Sequence, residues 1–212
     1  MRVAFHDHHG GDIHMKENRR VVKAKLGWIV MLLLYGGILG GCATSSTDVF
    51  RDPTMDFGSI KTVAVMPFAN FAKDQMAADR VRDVFTSMLL STGSLYPLPP
   101  GETARGISSV GIVYAPAPTI DEVIKIGKMI KVDGVFTGVV REYGDVRSGL
   151  AMADVISLSM QLTETQTGRV VWSASSTKGG IGIMERLFGG GGKPINEVTE
   201  KAVNALITSL YE

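Results

Sequence analysis

Cys42 is the only cysteine in a chain of 212 residues, so thiol chemistry in this protein happens there. It closes an apolar run, and Leu39, Gly40 and Gly41 stand immediately before it. The other chemically capable residues are less well arranged. All four histidines, His6, His8, His9 and His14, lie before residue 15, where they read either as a metal-binding tract or as part of a discarded leader. Asp133, Glu142, Asp145 and Asp154 have no sequence partners that would make one an acid and another a base. No Asp-x-Asp-x-Asp-Gly-type calcium loop occurs. Gly189 to Gly192 followed by Lys193 resembles half of a phosphate loop, but Leu187 stands where its first glycine belongs and Pro194 where its Ser/Thr belongs.

The elements around Cys42 explain its position. Lys16, Arg19, Arg20, Lys23 and Lys25 form a basic stretch, and Leu26 to Leu39 is almost wholly apolar. A charged segment, a short apolar core and small residues before a cut are the parts of a secretory signal. A spanning helix needs about 20 apolar residues, more than this glycine-interrupted run supplies. Residues 1–14 precede a signal of ordinary length starting at Met15, and we read them as a misassigned start or a discarded extension.

Leu39-Gly40-Gly41-Cys42 resembles the lipobox of bacterial lipoprotein precursors. The resemblance implies that the Cys42 thiol receives diacylglycerol, that signal peptidase II cuts before it after recognising Leu39, Gly40 and Gly41, and that the new amino terminus is N-acylated. Several acyl chains anchor stably where one does not. Ala43 rather than Asp follows the cysteine, which in enteric-type sorting implies the outer membrane, with the domain in the periplasm.

Processing changes what the mature chain can do. It has neither histidine nor a free thiol, which excludes Ser-His-Asp and Cys-His nucleophilic systems and His- or Cys-ligated zinc. The first 41 residues carry six Lys/Arg and three Asp/Glu of the chain's 22 and 21, which leaves 16 basic and 18 acidic residues and no basic excess for nucleic acid.

Residues 42–57 read as the lipidated cysteine and a Ser/Thr/Asp-rich tether, and residues 58–212 as one domain of ordinary size. Lys61 to Phe68 predicts a buried strand closed by Pro67. Ala77, Val81, Val84, Phe85 and Met88 follow a helical stripe after Asp74, a candidate cap. Ser94 to Leu98 predicts a brief strand, and Pro99 to Pro118 a long connection. Pro97-Leu-Pro-Pro100 reads as a strand end and turn, or as a polyproline II ligand. Gly106 to Tyr114 is apolar without a helical period and is read either as packing under the domain or as a partner contact, with Ile112 and Tyr114 as contact candidates.

Thr119-Ile-Asp-Glu122 is a capping box that opens a second helix. Val135 to Val140, Val155 to Thr163 and Val170 to Ala174 predict an antiparallel meander. Glycines flank Ile181 to Phe188, which makes Ile181, Ile183, Met184, Leu187 and Phe188 further candidates for partner contact, the alternative being a flexible surface hairpin. Pro194 suits a final helix with Val198, Ala202, Ala205 and Leu206 on its apolar face. The expected class is α/β (α+β): a single domain with a mixed sheet flanked by helices, in the order β-α-β-α-β-β-β-α.

That order on a lipidated tether resembles the fold group of the curli secretion channel (CsgG-like), the lipoprotein activators of penicillin-binding proteins (LpoB-type) and the N-terminal domain of TolB. Val132 to Tyr143 is similar to the group's Asp/Glu-Gly-x-x-x-Gly strand, and Leu158 to Trp172 to its strand pair joined at Thr-Gly. In the channels, long hairpins inserted after the third and fifth strands form a barrel. The corresponding intervals here, 144–153 and 178–193, are short against about 20 residues plus a turn for a spanning hairpin. The resemblance implies a non-enzymatic envelope lipoprotein without cofactor or metal that binds, regulates or assembles a protein partner. The alternative is a ring-forming subunit of a secretion or transport conduit.

Overall fold

The computed structural model describes residues 47–148, 151–179 and 192–212. They form one seven-stranded mixed sheet with four α-helices. The strands are β1 (Thr47–Arg51), β2 (Thr62–Val65), β3 (Ala69–Asn70), β4 (Tyr96–Pro97), β5 (Gly134–Ser148), β6 (Ala151–Glu164) and β7 (Val170–Gly179). The helices are α1 (Ala77–Ser91), α2 (Pro100–Val110), α3 (Ile120–Ile130) and α4 (Ile195–Tyr211). Strands run across the sheet in the order β1-β7-β6-β5-β2-β4, with β3 also beside β5. The expected meander is β5-β6-β7, all antiparallel, whereas β2 pairs in parallel with both β5 and β4.

Period-two alternation divides the sheet into two faces. Val63, Val65, Phe136, Leu158, Met160, Leu162 and Trp172 pack with α1 and α4. Phe85, Phe136 and Trp172 meet edge to face, with centroids 5.1 and 6.1 Å apart, and Trp172 Nε1 donates to the Ser209 carbonyl at 3.3 Å. On the other face Ala64, Met66 and Val135 pack with α2 and α3, which form a smaller second core over the β2–β5 region.

The capping box forms as expected. Thr119 Oγ1 accepts from Glu122 N at 3.3 Å, and Glu122 Oε2 accepts from Thr119 N at 2.7 Å. The Asp-Gly-x-x-x-Gly strand also has a physical cause. Asp133 Oδ2 accepts from the Lys61 and Thr62 amides, both at 2.9 Å, tying β2 to the start of β5. A Cβ at Gly134 would stand 2.8 Å from Leu162, and one at Gly138 2.8 Å from the Phe68 ring, so glycine lets side chains cross the strand. In the Thr-Gly turn, Gly168 has φ +73° and a Cβ there would lie 2.3 Å from Ile120.

Three segments differ from the sequence reading. Residues 47–51 of the expected tether are strand β1, paired with β7 from Thr47 opposite Ser176 to Arg51 opposite Trp172. The expected connection after Pro99 contains α2, started by Pro100 near its first position and closed by Gly111 at φ +77°. A Cβ at Gly106 would stand 2.7 Å from Ile130, so the helix needs glycine to approach α3, and that glycine breaks its apolar stripe. Third, the interval 144–153 continues β5 and β6 as a paired ribbon out to Ser148 opposite Ala151.

Asp52 fastens the end of β1. Its buried carboxylate accepts from Thr54 Oγ1 at 2.7 Å and Thr54 N at 2.9 Å, and pairs with Arg169. The Thr54 hydrogen bonds hold the carboxyl below its ordinary value of 3.8, Arg169 adds to this, and burial opposes it. A lowered native value means the unfolded chain takes up the proton first, so this contribution is complete well above 3.8 and is lost as pH falls below it. Chemical denaturation at a series of acidic pH values is expected to show a steeper loss of stability for the native chain than for Asp52→Ala. Parallel curves would remove Asp52 from the account.

Candidate functional site

Helices α2 and α3 cover only part of their face of the sheet. Beyond them the outward residues of β5, β6, β7 and β1 lie in registered rows. Thr137, Gln161, Ser173 and Phe50 form one row, and Val139, Ser159, Ser175 and Asp48 the next. The other side of these strands is the main core, with Leu158, Met160, Trp172 and Ala174 buried. Burial on one face and hydroxyl or amide groups on the other is the pattern of a sheet with one open side.

A cleft of about 700 Å³ occupies part of this open side. The Pro116–Pro118 segment and Ile120 wall it, the sheet contributes Thr137, Gln161 and Arg141, and the β6–β7 turn contributes Arg169. Arg141 falls at the β5 bulge, where the register with β6 shifts between Val140 and Glu142. Its lining offers hydroxyls, an amide and two guanidinium groups beside apolar proline and isoleucine surface. Such a surface binds by hydrogen bonding and packing.

The connection from α2 to the wall of this cleft, and the first residue of α3, carry exposed apolar side chains. Gly111 takes the left-handed turn, after which Ile112 turns inward and is 8% exposed. Val113 is 97% exposed, Tyr114 58% and Ile120 61%. Of the two contact candidates here, Tyr114 is therefore on the surface. Ile112 is not: it packs with Ala64, Met66, Val123 and Val135 in the second core, which corrects its reading as a contact residue. Val113, missed in the sequence, is the most exposed large apolar residue of the segment; once α2 is recognised, its place just beyond the helix's closing glycine identifies it.

Leu39, Gly40, Gly41 and Cys42 lie outside the described residues, as do Ile181, Ile183, Met184, Leu187 and Phe188. Among the described residues, no group of three or more Asp, Glu, His or Cys side chains is gathered to hold a metal ion. No described helix is long and apolar enough to cross a membrane. Glu197, like Asp52, is held below the ordinary carboxyl value, here mainly by hydrogen bonds from Lys201 on α4 and Lys193 just before it. Both shifts arise from hydrogen bonds and ion pairs to neighbouring residues.

No family model and no curated protein matches this sequence. Solved structures do share its fold. A single-substitution variant of the PelC dodecamer from Paraburkholderia phytofirmans aligns over 79% of this chain and 98% of its own, at 17% identity and a TM-score of 0.55. Lipoprotein GNA1162 from Neisseria meningitidis aligns over 71% and 98%, at 19% identity and a TM-score of 0.51. The LpoB C-terminal domain from Salmonella enterica aligns over 59% and 86% at 16% identity and a TM-score of 0.46, too loosely to argue from. At these identities the likeness is one of fold.

Proposed function

We propose that this chain is a non-enzymatic lipoprotein, anchored through acylated Cys42 to the periplasmic side of the outer membrane, whose domain binds and assembles or regulates an envelope protein complex. The observation that carries the binding role is the open sheet face with its cleft, walled by exposed Ile120, together with exposed Val113 and Tyr114 on the connection that leads to that wall. Exposed apolar side chains beside polar surface are a feature of protein contact sites. The anchor reading rests on the lipobox, and the GNA1162 lipoprotein shows that a lipoprotein uses this fold. No cofactor beyond the covalent lipid is required.

A second reading is a ring of identical subunits forming part of an export conduit. It is favoured by the dodecameric state of the PelC structures. Strand β1, at the end of the sheet with Val49 47% and Phe50 51% exposed, offers a place for chain-to-chain contact.

Tyr114→Asp tests the surface. The side chain is outside both cores, so the melting temperature is expected to stay within about 2 °C of the native protein, whereas burying an unpaired charge in a contact weakens binding by about tenfold or more. Co-purification from detergent-solubilised membranes reads the binding. Undiminished recovery of the partner, or of additional copies of the chain, would remove Tyr114 from the interface.

A further inference from the structure

The cleft beside α3 has a charge pattern that narrows what it can hold. Two guanidinium groups line it, Arg141 and Arg169, and no carboxylate does. The two differ in what else they meet. Arg169 pairs with the buried Asp52 carboxylate, which also accepts from Thr54, so its position is fixed and its charge is balanced. Its side chain is still 62% exposed and keeps N–H donors for a ligand. Arg141 is exposed at the β5 bulge, and its side chain makes no hydrogen bond or ion pair among the described residues. Glu142 follows it in β5 and Asp48 stands across the open face in β1, yet neither pairs with Arg141 and neither lines the cleft.

Strand register gives the cleft a length. Arg141 falls between the levels of Leu158 and Ser157, and Val170, next to Arg169, is paired with Thr163. The two ends are therefore five residues of β6 apart, about 17 Å. Pro116, Pro118 and Ile120 form an apolar wall, and Thr137, Ser159 and Gln161 a polar floor. Small-molecule sites are mostly apolar and enclose their ligand. A trough with one apolar wall and a floor of hydroxyl and amide groups instead fits about five residues of extended chain.

We propose that this cleft binds an acidic peptide, an extended segment of the envelope partner whose Asp or Glu carboxylate pairs with Arg141. Its backbone carbonyls accept from the Gln161 amide and Arg169, and an apolar side chain packs on Pro116, Pro118 and Ile120. The proposal rests on the binding role argued above and gives the partner its chemistry. A guanidinium meets a carboxylate through two parallel N–H donors, a fit that an amide of the same shape does not offer. With its charge unpaired and no acid in the cleft, Arg141 selects for negative charge. Ser159 adds a second signal: its Oγ is buried without a hydrogen-bond partner among the described residues, although Ser159 lines the cleft. Rotation about χ1 makes that hydroxyl a donor to a bound segment, which gives it the partner it lacks.

The test applies the full-length lipidated chain, in detergent, to an array of immobilised peptides of about ten residues. Each carries one Asp or Glu among apolar and proline residues, and each is matched by the same peptide with Asn or Gln in that place. The best acidic members are expected to retain the chain about tenfold better than their amide counterparts, a preference that shrinks as salt rises. Arg141→Gln is expected to remove the preference and leave the weaker binding of the amide members. Arg141→Lys keeps the charge without the planar fork and is expected to keep part of it. Lys128→Gln makes the same charge change on exposed α3 surface away from the cleft, and is expected to leave the preference within about twofold. The Arg141 side chain belongs to neither core, so its variants are expected to melt with the native chain. Equal retention of acidic and amide members overturns the proposal, as does a preference that survives Arg141→Gln or falls equally with Lys128→Gln. Displacement of the acidic peptides by polygalacturonate, with its binding lost in Arg141→Gln and tighter than theirs, makes an acidic glycan the occupant and also overturns it. Those results leave the wider binding role standing wherever an envelope protein still co-purifies with the chain. A chain that gentle extraction yields with no partner overturns that role, and this proposal with it.

Discussion

Cys42→Ala is expected to leave the protein as an unprocessed precursor without lipid, a complete loss of maturation. The reason is chemical: Cys42 is the chain's only thiol, and alanine cannot form the thioether from which processing follows in the lipobox reading. The acyl chains contribute about 0.8 kcal/mol per buried methylene, so losing them removes the stable attachment, and whatever association remains depends on the apolar leader. Intact mass and palmitate labelling read the outcome together. A variant with unchanged mature mass and continued labelling would show that Cys42 is not the modified residue.

Trp172→Ala is expected to give the largest loss of stability from one core substitution. Trp172 is fully buried, packs edge to face on Phe136, and donates its indole hydrogen bond to Ser209 in α4. Removing such a side chain costs about 3–5 kcal/mol, since little of the vacated volume can collapse. Typical domains hold only about 5–15 kcal/mol in all. The Ser209 carbonyl also loses its indole donor, and the contact of α4 with β7 loosens. Thermal unfolding should shift down by about 10 °C. A shift of only a degree or two would mean that α4 is not fastened to the sheet through this residue.

These two expectations come from opposite ends of what the sequence makes legible. The α3 capping box, the runs of the three meander strands and the α4 stripe are local signals, each contained within one element or its turn, and they form as read. Helix α2 is concealed because its packing on α3 depends on Gly106, which erases the periodicity that would announce it. Strand β1 is concealed for another reason. A polar five-residue segment at a sheet edge gains its order from pairing with β7, a partner about 125 positions away, and nothing within Thr47–Arg51 records that. The Asp-Gly-x-x-x-Gly run is visible as a motif, yet its meaning, a carboxylate on two β2 amides and two glycines crossed by Leu162 and Phe68, requires the neighbouring strands.

The binding surface divides in the same way. Tyr114 and Ile112 belong to one apolar segment and are indistinguishable by composition, but the left-handed turn at Gly111 sends Ile112 into the second core while Tyr114 stays outside. The open sheet face follows from alternation in β6, where Ser157, Ser159 and Gln161 oppose the buried Leu158, Met160 and Leu162. Its continuation across Ser173 and Ser175 into β1 depends on strand register.

The most direct test of the central claim is the native mass, by light scattering, of the mature protein extracted gently from membranes in detergent. A lipid-anchored assembly or regulatory protein is expected to elute heavier than one chain with its detergent, either with a second envelope protein, as the primary reading requires, or as a closed set of identical copies, as the ring reading requires. A bare monomer with no co-purifying protein, found under several gentle detergents, would contradict the account.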